Sequence, residues 1–213
     1  MKIDVKGLSI IYDGNEILKD ISFNVSQGDH ISILGKNGSG KSTFLKSLVN
    51  LTNVEKGTIL VDGINIKESN DFLKSIGFLF QNPNDQFVTS DVKDELIFRM
   101  ENISVPANEM DSKIEEVTKQ LKIEHLIDRK ISTLSEGEKQ RVALASILIA
   151  DKTILLLDEP TSMLDSYNSK LFNELINGLK DMTIILVTHK KSEMKNSDKV
   201  YELKDGSLNE VKL

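Results

Sequence analysis

The chain of 213 residues has no cysteine, no tryptophan and three prolines, and aromatic residues make up only 5% of it. The missing cysteine excludes a disulfide framework, thiolate zinc or iron–sulfur centres, and a cysteine nucleophile. Basic charge is also short: 27 Lys+Arg against 33 Asp+Glu leave a formal charge of −6. That balance argues against the basic footprint nucleic acid requires, so no nucleic-acid partner is expected. Apolar runs such as 154–157 and 184–187 are far short of the ~20 residues of a membrane span. Residues 1–5 alternate like a strand and hold no apolar signal core. The expectation is a soluble, intracellular chain with no anchor of its own. Its length suits one sizeable core, as one large domain or a domain carrying a subdomain.

What is present alternates between strand and helix patterns. Segments 2–5 and 8–12, separated by Gly7, and segment 21–25 read as short strands, with turns at 13–15 and 27–29. Residues 30–34 form an apolar strand that runs into a glycine cluster. From Ser42 the period becomes helical, with Phe44, Leu45, Leu48, Val49 and Leu51 on one face. Segments 58–61 and 64–66 flank Asp62-Gly63 and predict a hairpin, because Asp-Gly tolerates the positive φ of a tight turn. Residues 75–80 predict one more short strand. From about 84 to 150 the only glycine is Gly137, and helical patterns cover 92–100, 111–121 and 136–149. This shift predicts a helical subdomain inserted into an α/β frame. Strand 153–157, helix 166–179 and strand 183–188 restore the α/β rhythm, and 199–203 with 207–211 close as a hairpin. Near-continuous apolar strands alternating with helices predict an α/β fold with a mainly parallel sheet covered on both faces.

Three stretches carry chemistry. Gly35-Lys36-Asn37-Gly38-Ser39-Gly40-Lys41-Ser42-Thr43 fits the phosphate-loop pattern and lies between a strand and a helix, as that pattern requires. Its glycines let backbone N–H groups wrap phosphate oxygens. Lys41 reaches the β- and γ-phosphates, and the Ser42 hydroxyl faces Mg²⁺. Strand 154–157 ends in Asp158-Glu159, which puts two acids at the sheet's carboxyl edge, where ligands of open α/β sheets bind. Asp158 suits Mg²⁺, and Glu159 suits the base or orienter of an attacking water. Ser135 with Glu138 three residues on is a capping box, which accounts for the stretch without a ligand. The same helix start is also an anion site.

Taken together, these motifs resemble the ATP-binding-cassette (ABC) ATPase subunits of membrane transporters, over nearly the whole chain. Residues 35–43 are similar to the Walker A loop and 154–159 to Walker B with its catalytic glutamate. Gln81 is similar to the Q-loop glutamine, and Ser135-Glu136-Gly137-Glu138 to the family signature. Ser162-Met163-Leu164-Asp165 is similar to the D-loop and His189 to the switch histidine, while Tyr12 sits where the family stacks an aromatic on adenine. The resemblance implies a P-loop NTPase fold. Residues 1–83 and 151–213 would form a RecA-like, mainly parallel nucleotide-binding core with an antiparallel β subdomain, and 84–150 an inserted helical signature subdomain.

It further implies ATP and Mg²⁺ as ligands. Lys41, Gln81, Glu159 and His189 would act in hydrolysis, and Ser42, Gln81 and Asp158 at the metal. Tyr12, Gly35, Asn37, Gly38, Ser39, Gly40, Lys41, Ser42, Thr43 and Gln81 would hold the nucleotide. Ser135, Gly137, Glu138 and Asp165 would act across a head-to-tail pair of ATPase subunits. The stretch Phe80-Gln81-Asn82-Pro83-Asn84-Asp85-Gln86-Phe87 resembles the extended Q-loop of energy-coupling-factor ATPases, importers of vitamins or transition-metal ions. In that group an acidic region docks a transmembrane coupling subunit at the cytoplasmic face of the membrane; here Asp85 and the cluster Asp91, Asp94, Glu95 would supply the charge.

The chain departs from the pattern at Glu136 and Glu138, which stand for a glycine and a glutamine, at Ser166, which stands for a proline, and in the expected absence of a C-terminal extension. Glu136 beside a γ-phosphate is expected to weaken closure unless it turns away. The alternatives are the ATPase of an exporter of peptide or small molecule, a soluble ABC protein acting on DNA or ribosomes, and a nucleotide-binding regulator without turnover. The single cassette and net negative charge argue against the second, and the presence of Glu159 against the third.

Overall fold

Strands with apolar residues on both faces belong in the middle of a covered sheet. In the computed structural model, which describes residues 2–212, β3 (His30–Leu34), β7 (Ile154–Asp158) and β8 (Thr183–Thr188) take that place. Met1 and Leu213, at which the expected domain begins and ends, lie outside the described residues. The remaining strands are β1 (Ile3–Tyr12), β2 (Asn15–Val25), β4 (Lys56–Val61), β5 (Ile64–Asn65), β6 (Ile76–Leu79), β9 (Lys199–Lys204) and β10 (Ser207–Val211). Six form one sheet in the order β10-β9-β3-β8-β7-β6, in which β3 runs parallel to β8 and β9, and β7 parallel to β8. Leu34 stands opposite Thr188, and Asp158 opposite Val187. The carboxyl ends of three buried strands therefore meet at one edge. The other four form an antiparallel sheet, β2-β1-β4-β5.

The backbone separates into two compact units. The first comprises Met1–Phe78, Thr153–Glu159 and Lys180–Leu213, and thus nearly all of both sheets together with helix α1 (Lys41–Ser47). Its core joins Ile3, Val5, Phe23, Ile33, Phe44, Leu156 and Val187, with Phe23 edge-on to Phe44 and Tyr201. Two expected strands, 2–5 and 8–12, are one strand: Gly7 (φ +60°) carries the chain through a register shift between Val5 and Leu8. A glycine there makes a bulge and not a break.

The second unit, Leu79–Lys152 and Pro160–Leu179, holds α2 (Val92–Glu101), α3 (Ala107–Leu121), α4 (Glu136–Leu148) and α5 (Ser166–Asn177). α3 buries Ile114, Val117, Thr118 and Leu121, the spacing of one helical face. It begins ahead of the expected residue 111 because its first turn is polar and shows no periodicity. α4 contacts α2, α3 and α5, and it is buried continuously from Gln140 to Ile147. By backbone proximity α5 groups with these helices. Among the described residues no helix is long and apolar enough to cross a membrane.

One close approach can be tested by mutation. Gly57 has φ +91°, and a Cβ there would lie 2.5 Å from the carbonyl oxygens of both Lys6 and Gly7. Gly57→Ala combines left-handed strain with a backbone clash between β1 and β4, at a cost of about 1–3 kcal/mol. Thermal unfolding should show a midpoint several degrees lower, and an unchanged midpoint would contradict the close approach.

Candidate functional site: a phosphate loop facing two acids

The first unit builds its site where β3, β7 and β8 end. Leu34 leads into the loop 35–40, and α1 begins at Lys41. Gly38 (φ +77°) and Gly40 (φ +97°) turn the backbone left-handed, which L side chains resist. At Gly35 a Cβ would meet Ser39 Oγ at 2.5 Å and the Leu203 carbonyl at 2.7 Å, so only glycine fits. α1 has no side-chain cap, which leaves N–H groups of its first turn for another acceptor. The buried Ser39 Oγ has no hydrogen-bond partner among the described residues. Asn37 is exposed and Thr43 is partly buried in the first turn of α1.

Lys41 is folded back into this loop. Its Nζ donates to the carbonyls of Gly35 (2.9 Å) and Lys36 (3.0 Å) and lies 3.2 Å from Glu159 Oε1. Glu159 Oε2 is 2.8 Å from His189 Nδ1. Glu159 itself has φ +44°, a left-handed conformation that is unusual for a glutamate and typical of residues held by a site. Its N–H donates to the Val187 carbonyl (3.0 Å), which ties it to the neighbouring strand end. One residue back, Asp158 is 3% exposed and accepts a 2.8 Å hydrogen bond from Ser42 Oγ. Burial pushes its pKa up, opposed by the Ser42 hydroxyl and by the charge of Lys46.

The donor set fits Mg²⁺. A serine hydroxyl and a buried carboxylate are hard oxygen ligands held together, and the desolvated carboxylate gains from an adjacent cation. Among the described residues no three His, Asp or Glu side chains gather into a self-sufficient metal site. That suits a cation carried by one or two protein oxygens plus phosphates. Beside the loop opens a cleft of ≈ 540 Å³, lined in part by Ile17, Lys36, Asn37, Ser39, Leu203 and Gly206. Tyr12 ends β1 half-exposed, and its hydroxyl lies 3.2 Å from Thr52 Oγ1.

The second unit holds the other expected residues. Gln81 is exposed, and its Nε2 donates to Ser162 Oγ at 3.2 Å. Ser135 caps α4 in the expected box: its N–H and its hydroxyl both donate to Glu138 Oε2 at 2.8 Å, while Glu138 N–H donates to Ser135 Oγ at 3.4 Å. The Ser135 N–H, chiefly, holds the Glu138 carboxyl below its ordinary pKa. Glu136 turns to Lys139, 2.9 Å away, so its charge is partly neutralised within the helix. Gly137 is buried, and Asp165 caps α5 by accepting from Asn168 N–H at 2.8 Å.

One expectation needs correction. Glu95 does not offer charge to a partner with Asp91 and Asp94: it is completely buried. Its Oε2 accepts from the N–H groups of Val88 (2.9 Å) and Thr89 (3.0 Å), and its Oε1 pairs with Arg99 at 2.7 Å. Arg99 also donates to the Gln86 carbonyl at 2.6 Å. The pair thereby clasps the segment that follows Gln81. Its sequence signal is the Glu-to-Arg spacing of four within a helix, which favours an ion pair. Asp94 and Asp85 are exposed.

A phosphate loop, two acids at a sheet edge and a box-capped helix define the class: a P-loop ATPase of the cassette type. The ABC transporter family profile matches residues 18–162, and the chain belongs to that family of ATP-binding, ATP-hydrolysing domains. The energy-coupling factor transporter ATP-binding protein EcfA1 of Ligilactobacillus salivarius is 40% identical over 213 aligned residues, covering 97% of this chain and 76% of the relative. EcfA of Onion yellows phytoplasma is 38% identical, with 97% and 77% covered. Among solved structures, CbiO1 of Clostridium perfringens, described as part of the ABC transporter complex CbiONQ, superposes with a TM-score of 0.88 at 32% identity, covering 97% of this chain and 86% of that one. The dimeric cassette MJ0796, bound to ADP and Pi, gives 0.86 at 29% identity, with 99% and 98% covered.

The buried clasp sets a stability expectation. Glu95→Ala leaves the Val88 and Thr89 N–H groups without their acceptor and Arg99 with the Gln86 carbonyl alone, at a cost of about 2–4 kcal/mol. Denaturant unfolding should show a loss of that order. A loss under about 1 kcal/mol would mean that the clasp behaves like an exposed pair.

Proposed function

We propose that the chain is the ATP-hydrolysing subunit of an energy-coupling-factor transporter, powering uptake of a small solute such as a vitamin or a transition-metal ion. In this reading it sits at the cytoplasmic face of the membrane, pairs with a second ATPase subunit and docks a transmembrane coupling subunit. The observation that carries the ATPase chemistry is Glu159, held between Lys41 and His189 one residue beyond the Ser42–Asp158 pair. The curated relatives, named as energy-coupling ATPases and matched along most of their length, support the transporter class.

The residues divide the work as follows. Loop N–H groups and Ser39 cradle the phosphates, and Lys41 leaves the loop carbonyls for the β- and γ-phosphate oxygens. Glu159 accepts a proton from water as that water attacks the γ-phosphorus and the bond to the β-phosphate oxygen breaks, yielding ADP and phosphate. His189, through Nδ1, orients the second oxygen of Glu159. Ser42 and Asp158 would hold Mg²⁺, which supplies neutralisation of phosphate charge when bound. Tyr12 would stack on the base. Ser135, Gly137 and Glu138, with Asp165, would face the nucleotide held by the partner, so a lone subunit lacks part of its transition-state stabilisation.

Glu159→Gln should retain ATP binding and accumulate an ATP-bound pair while turnover falls about 10²–10⁴-fold, the usual worth of a general base. Steady-state phosphate release checks this, and wild-type turnover would remove Glu159 from the role. For docking, the double change Asp85→Lys and Asp94→Lys should abolish co-purification with the membrane subunit from mild detergent. Intact assembly would remove these acids from the interface.

A further inference from the structure

We propose that Asn168 is a positioning residue that ties Asp165 to the signature helix α4, so that the two elements offered to the partner's nucleotide move as one body. The inference rests on the two-subunit reading above. It starts from three contacts made by one side chain. Asn168 Nδ2 donates to Asp165 Oδ2 at 3.0 Å, and Arg141 Nη1 donates to Asn168 Oδ1 at 3.4 Å. The amide also lies against Gly137: a Cβ on that glycine would stand 2.5 Å from both Cγ and Oδ1 of Asn168.

An ordinary helix cap does not need this. The cap is made by the backbone, since Asn168 N–H donates to Asp165 Oδ1 at 2.8 Å, and any residue but proline supplies that bond. The side-chain contacts are additional, and they reach a different helix. An amide is also suited to the place, because it donates to a carboxylate on one side and accepts from a guanidinium on the other. Aspartate would set a second carboxylate beside Asp165, and an apolar residue would satisfy neither neighbour.

The location gives the tie a consequence. Asp165 begins α5 and Gly137 lies in the first turn of α4, and the proposed function places both against the partner's nucleotide. Arg141 is 7% exposed, with burial lowering its pKa and its Nε finding no hydrogen-bond partner among the described residues, so the Asn168 oxygen matters to it as a polar anchor. Met163 and Tyr167, either side of Asp165, are 53% and 75% exposed, as expected of a surface that is covered only when a second subunit arrives. With the amide in place, a shift of the aspartate displaces the helix that carries the signature.

The test uses the full chain. ATP-driven pairing is measured in the Glu159→Gln background and turnover in the otherwise native chain, each with Asn168→Ala and Asn168→Asp. Both changes should leave ATP affinity of the unpaired chain within about twofold, because Asn168 is outside the phosphate cradle. Both should lower kcat and weaken pairing by about tenfold or more, the worth of one or two hydrogen bonds to a charged group. Because the residue acts through Asp165, the double change Asp165→Ala with Asn168→Ala should be no slower than Asp165→Ala alone. Unchanged pairing and kcat in a folded Asn168 variant, or multiplicative losses in the double variant, would overturn the proposal. If Asn168→Ala fails to fold, Asn168→Asp, which keeps the acceptor for Arg141, decides the matter. Failure of the Glu159→Gln chain to pair with itself or a co-expressed ATPase subunit would instead overturn the two-subunit reading.

Discussion

The contact between Lys41 and Glu159 governs the rest of the candidate site. A buried ammonium is costly unless it is paired and hydrogen-bonded. Lys41, 4% exposed, meets that demand with two loop carbonyls and one carboxylate. These partners occupy the lysine's donors, so under the proposed function a bound polyphosphate would exchange one set of anionic and carbonyl partners for another. The exchange would free Glu159 Oε1 at the moment phosphate arrives, while His189 still holds Oε2. With Glu159 as the proposed base, a single side chain thus couples phosphate binding to release of that base.

Holding a glutamate at φ +44° requires rigid surroundings. β7 supplies them, with every residue from Ile154 to Asp158 buried and the strand paired along its length to β8. The parallel register then does the positioning. Leu34, Asp158 and Thr188 end at one level, so the phosphate loop, Glu159 and His189 emerge side by side, although they are far apart in sequence. A parallel sheet converts strand ends into a single edge, which is why chemistry gathers there.

Burial and locality also decide which parts are legible in the sequence. Strands 30–34 and 183–188 coincide with β3 and β8 because uninterrupted apolar residues mark a strand buried on both faces. The phosphate loop, the paired acids and the capping box are legible because each is a local pattern with a local cause. Contacts that depend on tertiary placement are not. Glu95 reads as one of three acids on a helix start, and only the packed structure shows that it alone turns inward to hold residues 88 and 89. Asn168 likewise reads as a helix-start residue; nothing local indicates that its amide lies against Gly137.

The acid excess divides in the same way between local and tertiary causes. Asp158, Glu159, Glu138, Asp165 and Glu95 each accept hydrogen bonds or ion pairs from within their own unit, and Glu136 is matched by Lys139. Under the two-subunit reading this matters at the start of α4, because two acids there would otherwise oppose a phosphate approaching the same N–H groups. Helix N-termini favour negative charge, so Glu136 and Glu138 stabilise the first turn of α4. Glu138 also occupies the hydroxyl and N–H of Ser135. Under the two-subunit reading a partner's phosphate therefore competes with an internal carboxylate for that serine, just as phosphate competes with Glu159 for Lys41. In that reading Lys41 and Ser135 are each held by an internal carboxylate that a phosphate oxygen would replace, the one through an ammonium and the other through a hydroxyl and an N–H.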